Sequence, residues 1–298
     1  MAEITAALVK SLRDRSGAGM MDAKKALVES NGDVEAAIDW LRAKGLSKAE
    51  KKSGRTAADG LVAAIVSEDG KTGALVELNA ETDFVARNET FQQALGQISS
   101  LALTTGGTTA DLAGAPAPDG DGTVEDMIKR LVGTIGENMT LRRADKIEAD
   151  VVSAYVHSAE APNMGKIGVV VGLNGGGDAD LARKVAMHVA ATSPAAATVS
   201  ELDTELVDRE RQVLTEQAEQ SGKPANVIEK MIEGRLNKYY KEVVLVEQPF
   251  VMDPDKTVGK FISESGAELA GFKMFKLGEG IEKEEDDFAA EVASMTKS

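Results

Sequence analysis

Two stretches of this chain read almost alike: Gly73-Ala74-Leu75-Val76-Glu77-Leu78-Asn79 and Gly168-Val169-Val170-Val171-Gly172-Leu173-Asn174. Each follows another extended apolar run and precedes a helical one. Residues 61–67 and 72–78 flank Glu68-Asp69-Gly70, a hairpin signal. Residues 151–157 and 166–173 form the corresponding second pair. Helical spacing then returns at 88–103, through Phe91, Leu95 and Ile98, and at 181–191 after Gly175-Gly176-Gly177. A chain that repeats strand, strand, helix is constrained to antiparallel sheet with helices laid on it. The fold class expected is α+β, with two related units forming a duplicated core.

The flanking segments are helical. Ile4, Leu8 and Leu12 recur at helical spacing until Ser16-Gly17-Ala18-Gly19 breaks the pattern. Met20-Met21 opens a second helix. Asn31-Gly32-Asp33 combines a C-cap, a turn and an N-cap before a third helix carrying Val34, Ala37, Ile38 and Leu41, ended near Gly45. So small a bundle needs tight packing or a larger neighbour. Residues 48–55 are basic and lack apolar periodicity, which suits a linker or an exposed helix. The Gly-, Thr- and Pro-rich stretch 104–122 reads as a loop, 124–135 as a helix and 139–149 as a strand. Within 201–242 two amphipathic helices flank Ser221-Gly222-Lys223-Pro224, an antiparallel helical hairpin. Residues 256–265 read as a short helix and 267–277 as the final strand. A last helix begins at Glu284-Glu285-Asp286-Asp287, with Phe288, Val292 and Met295 on one face. The expected division is 1–47 (three-helix unit), 48–56 (linker), 57–149 (first core half), 150–199 with 243–279 (second half), 200–242 (inserted hairpin) and 280–298 (C-terminal helix).

Glu81-Thr82-Asp83-Phe84-Val85-Ala86-Arg87 sits where the first long strand gives way to a helix. A Phe at such a junction either plugs its own core or projects into another protein.

Composition narrows the function. Against 34 basic side chains stand 49 acidic ones, a formal net charge of -15. Nucleic-acid and membrane-surface proteins carry the opposite bias. The acidic surface serves solubility or matches a partner. The chain has no Cys, which excludes disulfides, thiolate nucleophiles and Cys-based zinc sites. No apolar run approaches the roughly 20 residues of a membrane span, and the N-terminus lacks a basic and apolar leader. A cytoplasmic protein is expected.

Catalytic chemistry is hard to find. Two His occur, His157 on a strand and His188 on a helix, without the paired spacing of a metal site. His188 suits packing or partner contact better than general-base work, because no orienting partner is evident. Gly70-Lys71-Thr72 mimics the end of a phosphate loop, but Ile65 stands where that loop needs Gly. Gly175-Gly176-Gly177 lacks dinucleotide-binding spacing. No metal or cofactor is expected, and an enzyme is the weaker hypothesis.

Two motifs then matter together. Leu12-Arg13-Asp14-Arg15-Ser16-Gly17-Ala18-Gly19-Met20-Met21-Asp22-Ala23-Lys24-Lys25-Ala26-Leu27 and Glu77-Leu78-Asn79-Ala80-Glu81-Thr82-Asp83-Phe84-Val85-Ala86-Arg87-Asn88 closely resemble the signatures of the bacterial elongation factor Ts family. The resemblance continues through Ile135-Gly136-Glu137-Asn138, Val185-Ala186-Met187-His188-Val189-Ala190-Ala191, Ser221-Gly222-Lys223-Pro224, Gln248-Pro249-Phe250-Val251-Met252 and Asp287-Phe288-Ala289-Ala290-Glu291-Val292. It spans essentially the full length and departs only at 104–122 and 158–164.

The resemblance implies a guanine-nucleotide exchange factor for elongation factor Tu, the GTPase that delivers aminoacyl-tRNA. It implies a ubiquitin-associated-like N-terminal module docking on the nucleotide-binding domain, and core halves that meet different GTPase domains. The hairpin becomes a protruding coiled-coil insertion, and the C-terminal helix also reaches the GTPase. Asp83 and Phe84, flanked by Thr82 and Val85, fall on the family's intruding pair, which wedges beside the partner's magnesium site. Leu12, Met20, Met21 and His188 fall on its other partner contacts, although the Met pair suits an internal core equally well. Two competing readings are an adaptor or holdase-like binding protein without exchange activity, and a hydrolase using paired carboxylates.

Overall fold

The computed structural model describes residues 4–220 and 223–282. Three helices open the chain: α1 (Ala6–Ser16), α2 (Met20–Glu29) and α3 (Val34–Lys52). Thr5 caps α1 by accepting from the Leu8 amide, and Asp33 caps α3 by accepting from Ala36. Val9, Leu12, Ala23, Ala26, Leu27 and Ala37 form their common core.

α3 does not stop near Gly45. It runs on to Lys52, through the segment that suited a linker or an exposed helix. Packing explains the difference. Gly45 lies against Gly133 of α7 (Val124–Ile135), where a Cβ on Gly133 would stand 2.9 Å from the Gly45 Cα. Two missing side chains let the helices touch backbone to backbone, and that contact outweighs the roughly 1 kcal/mol that a mid-helix Gly costs. Ala49 enters the main core, and Lys52 Nζ donates to the Gly136 carbonyl at the end of α7.

The core strands form one six-stranded antiparallel sheet. β1 (Asp59–Val66) and β2 (Thr72–Ala80) make the first hairpin, and β3 (Met139–Glu148) adds to β2 with a bulge between Glu77 and Leu78. β4 (Val151–Ala161) and β5 (Met164–Asn174) make the second hairpin. The opposite edge of β5 is shared. Ile167–Asn174 pairs with β8 (Glu268–Lys276), while Met164 and Gly165 pair with Ala63 and Val62 of β1. The two repeats therefore join along a short seam. Gly168 permits it, since a Cβ there would meet Val62 Cγ1 at 2.7 Å.

Alternation along β1 serves two cores. Leu61 and Ala63 join Leu78, Phe91, Leu95 and Leu131 under α5 (Glu89–Ala102) and α7. Val62 and Ala64 join Leu75, Val170 and Phe275. Fully buried Leu61, Leu78, Phe91 and Leu95 each stabilise the fold by roughly 1.5–3 kcal/mol. The second half repeats the plan, with α8 (Ala179–Thr192) and α11 (Val258–Glu264) on Val169, Val171 and Leu173.

The two segments at which the resemblance departs are both ordered. Within 104–122 lies α6 (Thr109–Gly114), opened by a capping box between Thr108 and Asp111 and held by the buried Leu112. Residues 158–164 are mostly strand: β4 and β5 extend to a tight turn at Pro162-Asn163, where Asn163 takes a φ of 61°. The helical insertion consists of α9 (Thr204–Glu219) and α10 (Ala225–Val243), packed through Leu214, Ala218 and Leu236. Its tip residues Ser221 and Gly222 lie outside the described residues, as does the expected C-terminal helix from 283 onward. Among the described residues no helix is long and apolar enough to cross a membrane.

Candidate partner-docking site

The junction after β2 is a single helical turn, α4 (Asp83–Ala86). Thr82 enters it in an extended conformation, and Arg87 and Asn88 close it through amides donating to the Phe84 and Val85 carbonyls. Asn88 Oδ1 then caps α5 by accepting from Thr90 and Phe91. Gln92 Nε2 donates back to the Ala86 carbonyl at 2.8 Å. Successive residues on a turn point about 100° apart, so one turn faces both ways. Val85 and Ala86 are buried in the main core, whereas Phe84 is 75% exposed. The alternative left open by the sequence is settled: Phe84 does not plug its own core.

A pair of carboxylates ties this turn to the start of β3. Glu137 accepts from the Thr82 amide at 3.0 Å and from the Thr82 hydroxyl at 2.8 Å. In return Glu81 accepts from the Asn138 amide at 2.5 Å, and Asn138 Nδ2 donates to the Arg55 carbonyl. Arg55 also stands 3.3 Å from the Glu81 carboxylate. Charge-assisted bonds of this kind are short and directional, so the backbone beneath Phe84 is fixed before any partner arrives. Asp83 is exposed and has only a loose contact, 3.7 Å, with Arg87. Surface pairs of this kind contribute little, which leaves the carboxylate available.

Met20 and Met21, at the first turn of α2, are 48% and 76% exposed. They are not the internal core of the helical unit. Leu12 is that core: it is fully buried among Val9, Ala23 and Leu27. In this conformation it offers no atom to a partner.

His188 is likewise fully buried. Its Nδ1 accepts from the Val251 amide at 3.2 Å, and since an amide only donates, the ring proton sits on Nε2. Nε2 then donates to Gln248 Oε1 at 2.8 Å. Gln248 Oε1 also accepts from the Thr192 hydroxyl, and Gln248 Nε2 donates to the Glu242 carbonyl. Burial lowers the His188 pKa below its ordinary value, against a smaller opposing effect of the Gln248 hydrogen bond. The ring holds the turn between β6 (Pro249–Phe250) and β7 (Asp253–Thr257), on which Val251 and Met252 are each 46% exposed. Sequence reasoning passed over these two as site residues. The available signal was two apolar residues followed by Asp253-Pro254, a run that turns rather than continuing as strand.

Among the described residues no cluster of His, Asp and Glu could hold a metal ion. The most buried carboxylate, Glu77, is fully used by Arg142, Arg143 and the Gly278 amide. What the site displays is apolar and acidic surface on fixed backbone.

The chain is similar to known proteins over its whole length. The sequence model of the family described as Elongation factor TS matches residues 81–279. The Elongation factor Ts of Hyphomonas neptunium is 66% identical over 299 residues, covering 100% of this chain and 99% of the relative. That of Caulobacter vibrioides is 56% identical over 310 residues, covering 99% of each, and that of Rhodospirillum rubrum is 56% identical over 310 residues, covering both in full. Like them in sequence over its whole length, the chain belongs to the elongation factor Ts family of translation elongation factors.

Proposed function

We propose that this chain binds elongation factor Tu in its GDP-bound form and promotes GDP release, so that the GTPase can reload with GTP. The observation that carries the reading is Phe84, three-quarters exposed on a turn whose backbone is anchored by Val85, Glu81 and Glu137. Covering a large apolar side chain held in water is favourable in proportion to the area a partner buries. The partner state that offers the gap is the one selected.

Exchange then follows from linkage. A factor that binds the nucleotide-free GTPase more tightly than the loaded one weakens nucleotide affinity by the same ratio. Each tenfold requires about 1.4 kcal/mol of differential binding. Phe84 supplies part of it by entering a gap that exists only in the displaced state. Asp83, beside it, brings negative charge toward the partner's magnesium site, where the ion's charge holds the nucleotide phosphates. Thr82 and Val85 keep the pair in place. No bond is made or broken, so the chain needs no catalytic residue and no cofactor.

The remaining contacts divide by burial. Met20 and Met21 on the N-terminal unit (1–47) touch the GTPase directly, while Leu12 packs the unit that presents them. His188 acts from behind, by fixing the turn that displays Val251 and Met252 in the second core half. The adaptor reading requires Phe84 to be buried locally, and its exposure removes that support.

The test uses fluorescent GDP bound to elongation factor Tu. Substoichiometric amounts of the chain should accelerate release over many turnovers. Binding without acceleration favours the adaptor, and neither binding nor acceleration removes the reading altogether.

A further inference from the structure

The ion pair between Asp83 and Arg87 is looser than its place on the turn requires. An acid four residues ahead of a base on a helix is the favourable order for such a pair. Glu125–Lys129 on α7 and Asp180–Lys184 on α8 have that order, and each closes to 2.7 Å. Asp83–Arg87 has it too, and the Arg87 backbone is right-handed helical, yet the pair stands at 3.7 Å. A second carboxylate accounts for the difference. Asp83 faces Arg87 Nη2, while Glu160 approaches Arg87 Nε to 3.8 Å, so one guanidinium is held between two acids.

Glu160 comes from the other half of the core, and the backbone is bent to deliver it. Along the β4–β5 hairpin Ala159 pairs with Gly165 and Ala161 with Met164, so Glu160 is an extra residue in β4, a bulge. Bulges re-aim side chains. Just before it Ser158 takes a φ of 53°, an uncommon conformation for a residue with a side chain. Gly165 makes room, since a Cβ there would meet the Ser158 carbonyl oxygen at 2.7 Å and that of His157 at 2.8 Å. The hairpin end is fixed from beneath: Met164 and Ala161 pack into the main core, and the Asn163 carbonyl accepts from the Ala64 amide at 3.0 Å. The Glu160 side chain is 33% exposed against 63% for Arg87, so the acid is the fixed member and the guanidinium the movable one. Arg183 of α8 lines the same hollow as Glu160, but the ion pair Glu160 makes is with Arg87. Residues 158–164 are a stretch at which the family resemblance departs, so no family signature covers Glu160.

We propose that Glu160 is a positioning residue for the docking turn: it draws Arg87 off Asp83 and leaves the Asp83 carboxylate to the partner. The consequence for GDP release rests on the exchange reading; the position of Arg87 does not. Without Glu160 the guanidinium closes on Asp83, as the bases on α7 and α8 close on their acids. It then cancels the charge that would approach the partner's magnesium site. Exposed pairs of this order are weak, so the loss of release rate should be about twofold.

Glu160→Gln removes the charge and keeps the shape. In the free chain the Asp83 carboxyl carbon resonance should move on this substitution, and should stay in place when it is made in an Arg87→Gln background. The urea midpoint should be unchanged. With fluorescent GDP on elongation factor Tu, the variant should lower the maximal release rate about twofold, leave the half-maximal concentration as it was, and have no effect in the Arg87→Gln background. A resonance that does not move, or moves equally in both backgrounds, overturns the proposal. So does an unchanged maximal rate, or a loss of rate that Arg87→Gln fails to abolish. A parent chain that does not accelerate release sinks the exchange reading instead, and the resonance then decides the position of Arg87 by itself.

Discussion

Replacing Phe84 by Ala separates folding from function in one residue. In the free chain the ring is 75% exposed, and truncation of a side chain that far out of the core changes stability by no more than about 0.5 kcal/mol. Melting temperature should fall by no more than about 2 °C, since a domain of this size shifts roughly 2–4 °C per kcal/mol. The partner-bound state is different. Full burial of a Phe side chain contributes roughly 1.5–3 kcal/mol, and three-quarters of that area remains to be covered, about 1.1–2.3 kcal/mol. At about 1.4 kcal/mol per factor of ten, the variant should weaken coupling to GDP release roughly 6- to 40-fold. The assay is stopped-flow release of fluorescent GDP from elongation factor Tu, with urea unfolding of the same preparation. A release rate within twofold of the parent chain would refute the wedge. So would a loss of stability above 2 kcal/mol, which would mean that Phe84 holds the fold.

Glu137→Ala removes both bonds to Thr82 and should cost about 2–3 kcal/mol of stability; calorimetry should show a melting temperature lowered by roughly 4–12 °C, with exchange reduced although Phe84 is intact. His188 has a folded-state pKa below its ordinary 6.5, so the unfolded chain takes up the proton first. Stability is therefore full above pH 6.5 and is lost as pH falls toward the folded-state value, and His188→Gln should flatten that slope in urea titrations between pH 7.5 and 5.5. Gly133→Val places a Cβ against the Gly45 backbone; it should destabilise by about 1–3 kcal/mol and hasten proteolysis between residues 45 and 58.

Much of the fold was legible because local patterns agreed with one another. The hairpin at Glu68-Asp69-Gly70, the helix with Phe91, Leu95 and Ile98, and the insertion at 201–242 each carried both a period and a stop signal. α3 was misjudged because its continuation depends on Gly133, some ninety residues away, and no local propensity encodes a helix crossing. α6 was overlooked because Gly, Thr and Pro dominate its surroundings, while the capping box at Thr108 and the burial of Leu112 decide the structure. Of the candidate site, the Asp83-Phe84 pair was visible as chemistry but not as direction.

The sequence by itself determined that the chain is α+β, that its strand–strand–helix unit occurs twice, and that it carries no cysteine. These are properties of spacing and residue type. Only the tertiary structure decided which apolar side chains are held out and which are held in. Phe84 faces water because Val85, its neighbour on one helical turn, is claimed by the core. Met20 and Met21 are exposed because Leu12 and Leu27 already fill the helical unit. His188 turns inward because Gln248 and the Val251 amide, 60 and 63 residues away in sequence, satisfy both of its ring nitrogens. Burial is a property of the whole packing, and competition among side chains for limited interior volume is not written in any short stretch of sequence.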